Sequence, residues 1–116
     1  MLIGYARVSK ADGSQAHDLQ RDALVAAGIT ADQIDRVEFN EAFAAQVIPS
    51  CKELGIPLDR VNVNGGSIAL GHPLGATGAR LVLAVAHELR RSGGRYGLAT
   101  QCIGAGMGIS TIIERM

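Results

Sequence analysis

Two side chains in this sequence sit where bond-making chemistry is feasible. His72 lies in the run Gly71-His72-Pro73-Leu74-Gly75-Ala76-Thr77-Gly78. Cys102 opens Cys102-Ile103-Gly104-Ala105-Gly106-Met107-Gly108 thirty residues later. A neutral imidazole is a general base, and a thiol beside such a base is a nucleophile or a proton carrier. The glycines around both leave bare backbone that a bulky ligand can approach, and a glycine N–H beside Cys102 is free to bind an oxyanion. A lone histidine at a helix start is ordinarily just tied into its turn, and a strand-end cysteine is ordinarily a small buried hydrophobe. The glycine density around both is what argues for chemistry. Asn40, in Asn40-Glu41-Ala42-Phe43-Ala44, stands at a strand-to-helix switch. Asparagine caps helices there, and ligands of α/β folds bind there. Cys51 has no such setting and reads as a structural cysteine on a helix among apolar residues.

The elements that must position these residues follow from the pattern. Residues 2–8 read as a buried strand, and residues 15–27 as a helix with Leu19, Ala23, Leu24 and Ala27 on one face and Gly28 as its stop. Val37-Glu38-Phe39 is a short strand. A helix opens at Asn40 or Glu41, is kinked by Pro49, and ends at Gly55 and Pro57. Residues 60–64 are extended. A long helix starts at Pro73, where a missing N–H costs nothing, and runs to Arg91, with an apolar surface broad enough for burial on more than one side. Residues 96–101 form a strand, 104–108 a turn, and 109–113 a return strand. Strands alternating with helices and closing on a hairpin predict an α/β fold with a mostly parallel sheet and a C-terminal antiparallel strand.

Composition bounds the function classes. The chain has 116 residues, zero formal net charge, 47% apolar residues and two cysteines. That is one domain's worth of a globular chain. The neutral balance offers no basic face for bulk electrostatic binding to nucleic acid. Two cysteines do not make a disulfide framework, so reduced thiols in a cytoplasm are expected. The start has no signal-peptide pattern, and the longest apolar stretch, residues 81–86, is too short to span a membrane. There is no metal-ligand cluster, phosphate loop or nicotinamide fingerprint.

Three stretches, taken together, carry a resemblance. They are Asn40-Glu41-Ala42-Phe43-Ala44-Ala45-Gln46, the run over residues 62–78 (Asn-Val-Asn-Gly-Gly-Ser-Ile-Ala-Leu-Gly-His-Pro-Leu-Gly-Ala-Thr-Gly), and Tyr96-Gly97-Leu98-Ala99-Thr100-Gln101-Cys102-Ile103-Gly104-Ala105-Gly106. In order and without an evident gap, residues 30–116 resemble the C-terminal end of the thiolases (acetyl-CoA acetyltransferases and 3-ketoacyl-CoA thiolases). The resemblance implies a layered thiolase-like half-domain. It implies that His72 activates a nucleophilic cysteine and that Asn40 holds a water joining His72 in one oxyanion hole. It also implies that Cys102 moves the proton at the α-carbon of an acyl-CoA and that the Gly104 N–H contributes to a second oxyanion hole. Coenzyme A thioester is then the substrate, with no resident cofactor and no metal. A homo-oligomer or a thiolase subunit is the implied protein partner. The family's acylated cysteine lies in its N-terminal half, which this chain does not carry, so the expectation is a half-site inactive alone.

Residues 1–29 differ. Ile3-Gly4-Tyr5-Ala6-Arg7-Val8-Ser9, followed by Asp18-Leu19-Gln20-Arg21, resembles the start of the serine recombinases. By that resemblance Ser9 attacks a DNA phosphate and Arg7 helps bind it. The rest of a recombinase is missing, and phosphoryl transfer needs several positioned cations acting together. The reading is therefore a fusion with its junction near residues 27–30: a thiolase-like acyltransferase segment first, a non-catalytic structural or binding remnant second, and a DNA recombinase last.

Overall fold

The computed structural model describes residues 3–8, 18–104 and 107–116, with residues 3–8, 18 and 19 described by their backbone alone. The elements are β1 (Ile3–Val8), α1 (Asp18–Ala27), β2 (Arg36–Phe39), α2 (Ala44–Leu54), α3 (Ser67–Leu70), α4 (Thr77–Ser92), β3 (Tyr96–Gly104) and β4 (Met107–Glu114). The strands form one sheet in the order β1-β4-β3-β2. The β2–β3 ladder is parallel, while β3–β4 and β4–β1 are antiparallel. Three strands therefore point one way and the C-terminal strand is reversed, as the sequence predicts. Because β4 lies between β1 and β3, only one neighbouring pair is parallel.

Helices cover both faces. Ala23 and Leu24 of α1 and Val47 and Cys51 of α2 pack with Val37, Phe39, Leu98 and Ile112 on one side. Leu81, Val85 and Leu89 of α4 pack with Ala99 and Ile113 on the other. The alternation of strand side chains explains the division, since neighbours along a strand face opposite sides. Gly97 lets α4 approach closely: a Cβ there would lie 2.5 Å from Val85 Cγ2. Gly93, with φ +76, stops α4 in the left-handed conformation that suits glycine.

Several boundaries depart from the pattern. Helix α2 starts at Ala44 instead of Asn40 or Glu41, because both of those side chains are engaged by residues far along the chain. It does run through Pro49; Pro49 and Ala45 are both exposed, so water can meet the carbonyl left without its N–H partner. Helix α4 starts at Thr77, since residues 73–76 form a turn in which the Pro73 carbonyl accepts from the Ala76 and Thr77 N–H groups. It buries one face only, leaving Leu83 59% exposed. Of the expected extended stretch, Val61 alone bridges to β2; the Arg60 N–H closes a 3-10 turn over Leu58–Arg60. The short helix α3 had no signal in the apolar periodicity.

Candidate functional site

Strands β2 and β3 are parallel, and α4 returns antiparallel to them. The segment after β2, the N-terminus of α4 and the end of β3 therefore gather at one end of the sheet, the carboxyl end of the parallel pair. Asn40 follows β2, with its N–H donating to the Thr100 carbonyl at 2.8 Å. Gly78, in the first turn of α4, lies against Gln101, as a Cβ there would sit 3.4 Å from the Gln101 amide nitrogen. His72 lies in the loop between α3 and α4, and Cys102 one residue beyond Gln101.

His72 is exposed, but its ring is held. Nδ1 lies 2.7 Å from Thr77 Oγ1, and the Thr77 hydroxyl donates to the Pro73 carbonyl at 3.0 Å. Threonine has one hydroxyl proton. With that proton given to Pro73, the hydroxyl accepts from the ring, so Nδ1 carries a hydrogen and the Nε2 edge is the one left to meet a ligand. Thr77 is fully buried, which fixes this anchor. The motif reading misses Thr77; its place five residues after His72, at the first position of α4, is the signal.

Asn40 is fully buried and does not cap a helix. Its Oδ1 accepts from Ser67 Oγ at 2.7 Å, and Ser67 Oγ accepts from Arg80 Nη2 at 3.0 Å. Among the described residues Asn40 Nδ2 and Arg80 Nε have no hydrogen-bond partner. Beside them Glu41 ties the loop together, accepting from the Ile68 N–H and from Asn62 Nδ2.

Cys102 is half-buried at a β-bulge. Cys102 pairs with Gly108 and Gly104 with Met107, which leaves Ile103 as the extra residue. Bulges of this kind re-aim side chains beside sites. Gly104, exposed, has φ +89. Gly97, Ala99 and Gln101 face α4, whereas Leu98 and Thr100 face α1, since Gln20 of α1 donates to Thr100 Oγ1. Alternation assigns Cys102 to the α1 face. No hydrogen bond joins His72 to Cys102 among the described residues; the sheet brings the segments that carry them to one end. Cys51 is buried in the core, where burial pushes its thiol up. Of the recombinase-like pair, Ser9 lies outside the described residues, and Arg7 contributes a described backbone within β1.

Two buried carboxylates lie between β2 and α4, Glu38 on the strand and Glu88 in the last turns of the helix. Glu38 is 2% exposed, and its Oε2 has no hydrogen-bond partner among the described residues. Burial pushes its carboxyl up to about 7 against the pull of the Arg80 charge, with Glu41 and Glu88 adding repulsion. Glu88 is held below the usual carboxylate range by the Asn64 amide, with help from Arg91 and Arg36. A glutamate between two apolar residues of a short strand was the available sequence signal for Glu38.

The fold and site define an α/β half-domain with a histidine, a buried asparagine amide and a cysteine at the carboxyl end of its parallel strands. Residues 10–115 match the family model described as thiolase, C-terminal domain, and the chain belongs to the thiolase family. It is 56% identical over 95 residues to an acetyl-CoA acetyltransferase of Chromobacterium violaceum, covering 82% of this chain and 24% of that protein. It is 56% identical over 98 residues to a 3-oxoadipyl-CoA/3-oxo-5,6-dehydrosuberyl-CoA thiolase of Escherichia coli, covering 83% and 24%. A peroxisomal 3-ketoacyl-CoA thiolase 5 of Arabidopsis thaliana is 53% identical over 91 residues, covering 77% and 20%. The chain thus spans about a quarter of the length of these curated relatives. No helix among the described residues is long and apolar enough to cross a membrane.

Proposed function

We propose that this chain is the base and oxyanion half of a thiolase-type acyltransferase site, acting on acyl-CoA thioesters only with a nucleophilic cysteine from a partner and inactive alone. The observation that carries this reading is the gathering of Asn40, His72 and Cys102 at one end of the sheet, with the His72 Nε2 lone pair and the Asn40 Nδ2 donor both uncommitted. In the proposed acyl transfer Nε2 takes the proton of the partner thiol, the thiolate attacks the acyl-CoA thioester carbonyl, and the coenzyme A sulfur leaves as its C–S bond breaks, taking the proton from the imidazole. A water on Asn40 Nδ2 and the protonated imidazole hold one oxyanion, and the Gly104 N–H serves another. Cys102 moves the proton at the α-carbon of the second acyl group. Phe43, Ile68, Leu70 and Leu74 are all more than half exposed on the segments around this end, which supports a partner covering it. A reduced, cytoplasmic setting suits the two free thiols.

The test is thiolysis of acetoacetyl-CoA, with mass spectrometry of the chain after incubation with acetyl-CoA. The chain alone is expected to show no activity above background and no acetyl adduct. Adding a nucleophile-bearing thiolase half is expected to produce activity that His72→Ala abolishes. An acetylated Cys51 or Cys102, or thiolysis by the chain alone, refutes the half-site reading.

We further infer that residues 1–29 are a recombinase-derived strand and helix filling a place in a thiolase sheet of residues 30–116. Support comes from β1 pairing along β4 and from Gln20 of α1 bonding Thr100. The thiolase family match spans residues 10–115, so β1 lies outside it and α1 within it. Hydrogen exchange that leaves residues 3–8 unprotected while 37–39 are protected refutes the substitution.

A further inference from the structure

The carboxamide of Asn40 has a fixed direction, and the reason lies outside the three motif residues. An arginine only donates hydrogen bonds, and a serine hydroxyl has one proton to give. Arg80 Nη2 donates to Ser67 Oγ at 3.0 Å, so the Ser67 proton is free for Asn40 Oδ1, reached at 2.7 Å. Turning the amide over would present Nδ2 to Ser67, leave Oδ1 without its donor and strand the serine proton. Asn40 is fully buried and Ser67 8% exposed, so water cannot cheaply replace either bond. We propose that Ser67, held by Arg80, is a positioning residue that keeps Asn40 Nδ2 turned away as an unpaired donor for a carbonyl oxygen or the water that bridges to one. This rests on reading Asn40 as an oxyanion-side group. The backbone sets only where Asn40 stands; the Arg80–Ser67 pair sets which end of its amide faces the substrate.

The test follows the side-chain NH2 resonances of Asn40 in the 15N-labelled full chain. Wild type and Ser67→Thr, which keeps the hydroxyl, are expected to give one sharp pair at the same position. Ser67→Ala and Arg80→Met are expected to shift the pair and broaden or double it. The backbone N–H of Asn40, bonded to Thr100, should stay in place in all four. A Ser67→Ala chain with the side-chain pair unmoved overturns the proposal, as does Ser67→Thr moving it as far as Ser67→Ala. If Ser67→Ala does not fold, Arg80→Met carries the same reading, and an unmoved pair there overturns it. The two ideas fail separately. An oriented Asn40 in a chain that never supports thiolysis with a nucleophile half refutes the catalytic reading and leaves the positioning intact.

Discussion

Replacing Glu38 by Gln keeps the shape of a buried side chain and removes its titration. The wild-type carboxyl is pushed from an ordinary 4.5 up to about 7 by burial, and one of its oxygens has no hydrogen-bond partner among the described residues. A group whose folded value lies above its unfolded one binds more protons when folded, so stability falls as pH rises between the two values. The full shift corresponds to about 2–3 kcal/mol lost between about pH 5 and about pH 8. Relaxation and water penetration screen part of this, so the expected loss is about 1–2 kcal/mol. Glu38→Gln should flatten that slope and be the more stable protein at about pH 8, while the two differ little at about pH 5. Urea unfolding of both chains at the two pH values measures it. An equal slope in the two chains, or a wild type that gains stability toward alkaline pH through Glu38, refutes the assignment of an uncompensated buried carboxylate.

Opposite behaviour is expected below that window. Glu88 and Asp35 are held low, Glu88 first by Asn64, and Asp35 by the Tyr96 and Arg95 N–H groups and the Arg60 and Arg36 charges, which together outweigh its burial. Their stabilisation is present above the unfolded carboxylate values and is lost as pH falls through the folded ones, so acid unfolding curves of Glu88→Gln should start from a lower plateau and fall less. Glu88→Ala removes the acceptor shared by Arg36, Asn64 and Arg91, and should cost about 1–3 kcal/mol in urea unfolding, since both arginines can reach water. Thr77→Val keeps the volume and deletes the acceptor of His72 Nδ1–H; 15N spectra should show the Nδ1–H form in wild type and its loss in the variant. Gly97→Ala should destabilise by about 1–3 kcal/mol, because its methyl meets Val85 and Leu89 of α4.

The strands and helices were legible because their apolar periods differ and glycines mark their ends; α1, β2, β3 and the body of α4 follow from that alone. The site's neighbourhood was legible as well, because Asn40, His72 and Cys102 all fall at strand-to-helix or strand-to-turn switches. Helix starts were the weak point. Asn40 and Pro73 have the local chemistry of a helix start, yet Asn40 turns to Ser67 across 27 residues, and Pro73 spends its carbonyl on the turn before Thr77. The broad apolar surface of α4 misled for a related reason: Leu83 is left exposed, and periodicity does not say whether a second neighbour exists.

What the sequence determined by itself is the set of elements, the reversal of the last strand, and which side chains are candidates for acid–base work. Local propensity and short-range spacing suffice for these. Tertiary structure decided that β4 lies between β1 and β3, that the segments carrying Cys102 and His72 come to one end, that Thr77 holds His72 Nδ1, and that Glu38 is buried beside Arg80. Each of these depends on which groups meet across space. A proton's position or a carboxyl's charge is set by the partner it finds, and only the folded chain supplies that partner.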